Sequence, residues 1–137
     1  MMKTLFCAIV FIMNALGAVA QTVKVKSDKV FIDGVETLTF KSRGAGSIVT
    51  YSNLANKKLF TYTHDNKGTV HYSGDDYTMF FFDDSEIKIE SKQFPSFQVK
   101  RHVIEFLLEE EVLNVDGTLN EDKIEKLYRK YNQDLQF

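Results

Sequence analysis

Cysteine, proline and tryptophan are nearly missing from this chain of 137 residues, which holds one Cys, one Pro and no Trp. The single cysteine, Cys7, stands in an apolar leader, so no thiol remains from Gln21 onward. That excludes disulfide staples, thiol nucleophiles and thiolate metal sites in the part after the leader. No Asn-x-Ser/Thr sequon is present either. A surplus of one charge sign is also lacking, since 17 Lys+Arg face 19 Asp+Glu for a net charge of −2. Binding nucleic acid or a strongly anionic membrane needs a clustered basic footprint, so neither partner is expected. What the chain does have is apolar material: 44% hydrophobic and 13% aromatic residues exclude a disordered polymer and supply a core.

The leader reads MMKTLFCAIVFIMNALGAVAQ, with Lys3 as its positive start and an apolar run from Thr4 to Gly17 broken only by Asn14. Ala18-Val19-Ala20 fits the small-x-small pattern of signal-peptidase cleavage, so residues 1–20 are expected to be a cleaved signal peptide. A spanning helix needs about 20 apolar residues, and this run is shorter, so membrane contact is expected only in transit. Cys7 comes too early for a lipidation box. The exported part is then 21–137, 117 residues whose charge falls to −3 with the loss of Lys3. Its place is the periplasm or the medium. One domain is expected at that length.

Two regimes follow. Residues 21–93 read as short strands between turns, and 96–133 as two helices. Asp33-Gly34 between Val30-Phe31-Ile32 and Val35-Glu36-Thr37-Leu38 is a strong hairpin signal, because both turn positions need positive φ. Gly44 and Gly46 bend the chain before Ser47–Tyr51, and a loop around Asn53–Asn56 leads to Leu59–Thr63. Asn66-Lys67-Gly68 is read as a three-residue hairpin loop that sets Tyr62 opposite Tyr72, which gathers Phe60, Tyr62, Val70 and Tyr72 on one face. Tyr77–Phe82 is apolar on both faces and is expected to be central or sandwiched. Glu86–Glu90 alternates like a half-exposed strand. No gap is long enough for a parallel crossover. The expected fold is therefore α+β: an antiparallel meander of seven or eight strands with a C-terminal helical hairpin packed on it.

Pro95-Ser96 is expected to open the first helix, whose Phe97, Val99, Val103, Ile104, Phe106, Leu107 and Val112 form an apolar stripe, with Asn114 and Asp116-Gly117 as its stop. Asn120 caps the second helix, which carries Glu121-Asp122 in its first turn and Ile124, Leu127, Tyr128 and Tyr131 on its apolar face. Asp122–Lys126 and Glu125–Arg129 are acid-first pairs four residues apart. The opening KVFIDGVETLTF and the ending VLNVDGTLNEDKIEKLYRKYN resemble small exported bacterial proteins of unassigned function. The resemblance covers most of the chain after the leader and implies the sheet-then-helices layout and export, but no activity.

Chemical motifs are few. His64 and His71 straddle the 66–68 turn on opposite faces of the expected hairpin, and His102 sits in a helix, so no metal site is expected. Asp75-Asp76 and Asp83-Asp84 lie at opposite ends of a strand about 20 Å long, too far apart to share an ion or a bond, and read as gatekeepers flanking YTMFFF. Asp116–Glu121 fails as a calcium loop because Lys123 stands where the last acidic ligand belongs. Gly44-Ala45-Gly46-Ser47 lacks the lysine of a phosphate loop. No Gly-x-Ser-x-Gly elbow occurs. Neither a cofactor nor a catalytic residue is assigned.

Two features remain. The first helix carries Lys100-Arg101 at its start and Glu109, Glu110 and Glu111 at its end, opposite to what the helix dipole favours. Its acidic end is a candidate docking patch for a protein partner. The sheet is rich in rings, and Phe60, Tyr62, Tyr72 and Phe81 are candidate lining for a small apolar ligand. The expected function is a non-catalytic exported binding or interaction protein of the bacterial cell envelope. The alternative is a small envelope hydrolase with a site near His64 or His71.

Overall fold

The computed structural model describes residues 21–65 and 76–135. Seven strands run β1 Val23–Lys26, β2 Lys29–Ile32, β3 Val35–Arg43, β4 Ile48–Asn53, β5 Lys58–Asp65, β6 Tyr77–Phe82 and β7 Ile87–Ser91. Each pairs antiparallel with its sequence neighbours, so sheet order equals chain order. Two helices follow, α1 Lys100–Glu109 and α2 Glu121–Tyr131. The result is the α+β meander with C-terminal helices that the sequence implies. At the Asp33-Gly34 turn both residues adopt positive φ, 52° and 81°, as a two-residue hairpin requires. The next bend is a 3-10 turn, Gly44–Gly46, and beyond β4 the Asn53 carboxamide accepts the amides of Ala55 and Lys57.

Two strand expectations need correction. Tyr62 does not face Tyr72: its neighbours across the sheet are Val49 of β4 and Phe80 of β6. The expected strand at 69–72 lies outside the described residues. Pairing β5 with β6 sets Phe60 and Tyr62 beside Phe82 and Phe80, which buries four rings on one face, more apolar area than Val70 and Tyr72 would offer. For β6 the central alternative holds, since it lies between β5 and β7, and only the sandwiched one falls. Thr78, Phe80 and Phe82 are buried, whereas Tyr77, Met79 and Phe81 on the opposite face are half-buried.

The first helix begins at Lys100, several residues later than Pro95-Ser96 suggests. The preceding segment stays extended because its rings anchor it: Phe94 packs on Phe80, Phe106 and Tyr131, and Phe97 on Tyr62, Phe80 and Phe106. Tertiary packing overrides helical spacing here, and Val99, counted in the stripe, is exposed. Val112 is buried but lies past the helix end. That end closes where Glu111 turns to φ 61°. The Val112 amide then donates to the Leu107 carbonyl at 2.9 Å and the Glu111 amide to Leu108 at 3.0 Å. This is a Schellman cap with a glutamate in the position glycine usually takes.

α1 packs beside β1 while its Phe106 ring stacks on Phe80 of β6, and α2 packs beside β7. Five strand spacings of about 4.8 Å make a flat distance of about 24 Å. A ten-residue helix is only about 15 Å long, so the sheet bends around α1. Ile104, Leu107, Ile124 and Leu127 fill the space against Phe60, Phe80, Phe82 and Ile89, all at most 2% exposed. The interhelix loop pairs with itself through Leu113 and Leu119, and Asp116 accepts from the Thr118 amide and hydroxyl at 3.0 and 2.6 Å. Asn120 caps α2 through Lys123, as expected.

Gly117 closes this loop at φ 88°, and a Cβ there would stand 2.9 Å from Thr37 Cγ2 and 3.2 Å from the Thr37 carbonyl oxygen. Gly117→Ala is expected to cost about 2 kcal/mol, combining left-handed strain with the clash. Urea denaturation of both proteins measures it, and an unchanged midpoint would contradict this geometry.

Candidate functional site

Bending leaves an open cleft of about 1280 Å³ between β1, the inner faces of β4 and β5, and the strap leading into α1. Its apolar wall includes Val23, Val25, Val49, Phe97, Val99 and Val103; the polar residues along it are Tyr51, Tyr62, His64, Ser47 and Gln98. Two cationic residues, Lys100 and Arg101, line it at the start of α1, Lys24 and Lys26 border it from the exposed face of β1, and no carboxylate lines it among the described residues. Lys100 Nζ lies 5.5 Å from the centre of the Phe40 ring, an inward side chain of β3. A second, smaller groove of about 500 Å³ runs between Glu86–Lys88 and Glu125, Tyr128 and Arg129 of α2.

Tyr51 forms the cleft floor. Its ring stacks on Phe60 at 4.7 Å, and its hydroxyl is buried with no hydrogen-bond partner among the described residues. Burial, reinforced by Tyr62, pushes its phenol far above the ordinary tyrosine range. Tyr62 is raised too, mainly by burial, against a hydrogen bond with Thr78 that works the other way. Burial thus holds both phenols in the neutral form near neutral pH.

His64 sits at the rim, half-exposed, with Nε2 3.7 Å from Asp76 Oδ2 and Nδ1 3.5 Å from Thr78 Oγ1. Hydroxyl, imidazole and carboxylate are thus neighbours, but the hydroxyl stands at the outer limit of hydrogen-bond distance and the carboxylate beyond it. The Thr78 hydroxyl also belongs to a buried residue bonded to Tyr62, which hides it from a substrate. His71 and Asp75 lie outside the described residues. No group of three His, Cys, Asp or Glu side chains suited to a metal ion occurs among the described residues, and no described helix is long and apolar enough to cross a membrane.

The proposed lining residues separate. Tyr62 lines the cleft, Phe60 is fully buried beneath it, Phe81 lies on the opposite face of the sheet, and Tyr72 is outside the described residues. Phe81 belongs with Thr61 and Lys88 across the outer face. The valines of β1 were missed, although the VKVK alternation marks one apolar face. Phe97 and Val103 were assigned to a helix stripe, and only the tertiary arrangement makes them a wall.

The acidic helix end is not uncompensated. Glu110 pairs with Lys130 and Glu111 with Lys123, both at 3.0 Å, so α2 supplies the missing cations. These lysines sit where the expected Asp122–Lys126 and Glu125–Arg129 pairs do not form among the described residues. Glu109 remains exposed and outside any ion pair among the described residues. At the other end of α1 the anomaly stands: the cap residue Val99 offers no side-chain acceptor, and the first turn holds no acid.

No known protein family, curated protein or solved structure matches this chain. A functional reading therefore rests on the cleft itself.

Two outcomes follow from this geometry. Tyr51→Phe removes a buried donor that has no partner, so stability should hold or rise by about 1 kcal/mol; a clear loss in thermal melts would mean that the hydroxyl is bonded after all. Glu111 is held below the usual carboxylate range by the hydrogen bond and charge of Lys123. A depressed folded pKa gives stability that is present above the unfolded value of about 4.3 and is lost as the pH falls through the folded one. Lys123→Gln should therefore lose less on acidification below that value than the parent does, as read by melting temperatures from pH 6 to 3.

Proposed function

We propose that this chain is an exported, non-catalytic binding protein of the bacterial cell envelope, and that its cleft holds a small ligand with an apolar body. The observation that carries this reading is the cleft: an open hollow of about 1280 Å³ walled by valines and rings with a few convergent polar groups. Small-molecule sites are concave, mostly apolar and commonly roughly 300–1,000 Å³ in volume, and an open groove exceeds that range naturally. Export is supported by the leader, with cleavage after Ala20. The protein-partner reading through Glu109, Glu110 and Glu111 has less support, because two of the three are already paired with α2. The hydrolase reading has one observation in its favour, the His64–Asp76–Thr78 neighbourhood, and one against it, the burial of Thr78, whose hydroxyl lies 3.5 Å from that imidazole.

Native mass spectrometry of the purified protein, before and after addition of 1-dodecanol, tests the proposal. A co-purifying mass or a dodecanol adduct is expected, and Val103→Trp, which fills the wall, should abolish it. A bare mass under both conditions would overturn the reading. Turnover of a p-nitrophenyl ester that disappears in His64→Ala would favour the hydrolase instead.

A further inference from the structure

We infer that the basic start of α1 is the anion-binding end of the cleft, so that its ligand is a single-chain amphiphile with an anionic head. This rests on the binding reading above and specifies the ligand's chemistry. Three observations converge. The lining holds Lys100 and Arg101, with Lys24 and Lys26 on the exposed face of the bordering strand β1, and no carboxylate among the described residues, in a chain whose overall charge is −2. Arg101 shares its charge with Glu105 at 2.9 Å, but Lys24, Lys26 and Lys100 are in no ion pair among the described residues. Asp76 lies 3.7 Å from His64 and is not part of the lining.

The second observation is the helix start. The His102 amide donates to the Val99 carbonyl at 3.0 Å, which leaves the Lys100 and Arg101 amides without an acceptor among the described residues, and Val99 supplies none from its side chain. Two cations at the positive end of the dipole add to an unmet demand for negative charge, whereas the acidic far end is neutralised by Lys130 and Lys123. An anion seated at Lys100 and Arg101 answers the amides, the dipole and the side chains together. The third is the floor. Tyr51, fully buried, presents a phenol without a partner among the described residues in the wall of the same cleft. From the anion site the chain of the amphiphile would lie along Phe97, Val103, Val49 and Val23, where methylene burial supplies affinity.

The test compares dodecanoate, 1-dodecanol and dodecyltrimethylammonium by calorimetry with the purified protein, all below their critical micelle concentrations. Dodecanoate should bind about tenfold or more tightly than dodecanol, a difference of about 1.4 kcal/mol, and the cationic amphiphile more weakly than either. Lys100→Gln with Arg101→Gln should remove the advantage of dodecanoate over dodecanol. Lys100→Arg should keep the advantage, which separates loss of charge from loss of fold. Equal binding of dodecanoate and dodecanol would overturn the anion site and leave the apolar cleft standing. Binding of neither would overturn both. Capture by phosphatidylglycerol vesicles without binding of monomeric dodecanoate would also overturn it, in favour of a surface for bilayers.

Discussion

The Phe80 ring is where the separate parts of this fold meet. It lies against Phe60 and Tyr62 of β5, Phe82 of its own strand, Phe94 and Phe97 of the strap, and Phe106 of α1. With no cysteine after Cys7, no disulfide ties the sheet to the helices, and this aromatic cluster with the aliphatic layer beside it holds them together. Edge-on and stacked ring pairs each add about 0.5–1.5 kcal/mol beyond their area. They also have directional geometry. The strap is held extended because Phe94 and Phe97 are both committed to the cluster, and that extension delays α1 until Lys100. The cleft wall is thus a by-product of how the core is tied.

Much of the architecture was legible because it is written in local chemistry. Asp33-Gly34 can be little other than a hairpin turn, and Asn120 followed by two acids marks a helix start. The meander followed from gaps too short for crossovers. What was not legible depends on choices between competing partners. Asn66-Lys67-Gly68 has sound turn residues, yet β5 pairs with β6, where more ring area is available. The strict two-residue period of a strand puts Phe81 on the far face although Phe80 and Phe82 are core. Local reading could not weigh these alternatives.

The candidate site shows the same division. Tyr62 was found because aromatic alternation is visible in the sequence. The reversed charges of α1 were noticed too, but their meaning lay in space. At the acidic end α2 brings lysines from twelve and twenty positions away, so that half of the anomaly is structural. At the basic end no acid enters the first turn, and the start of the helix opens onto the cleft. A charge pattern that looked like one irregularity is two, with different causes.

The two borders of the sheet are not alike. Beyond α2 the chain returns along β7: the Gln133 amide donates to the Glu90 carbonyl at 2.9 Å, and the Asn132 and Gln133 carboxamides accept the Glu90 and Lys92 amides at 3.1 and 2.7 Å. β1 pairs with β2 alone among the strands. Exposed strand borders can template further strands from other chains, and a fibre needs two compatible borders on every unit. A copy that docked at β1 would present either its own sealed β7 side or a β1 already in use. Growth of this sheet by addition of copies therefore ends at a pair, so that the tail after α2 is a chain terminator against polymerisation.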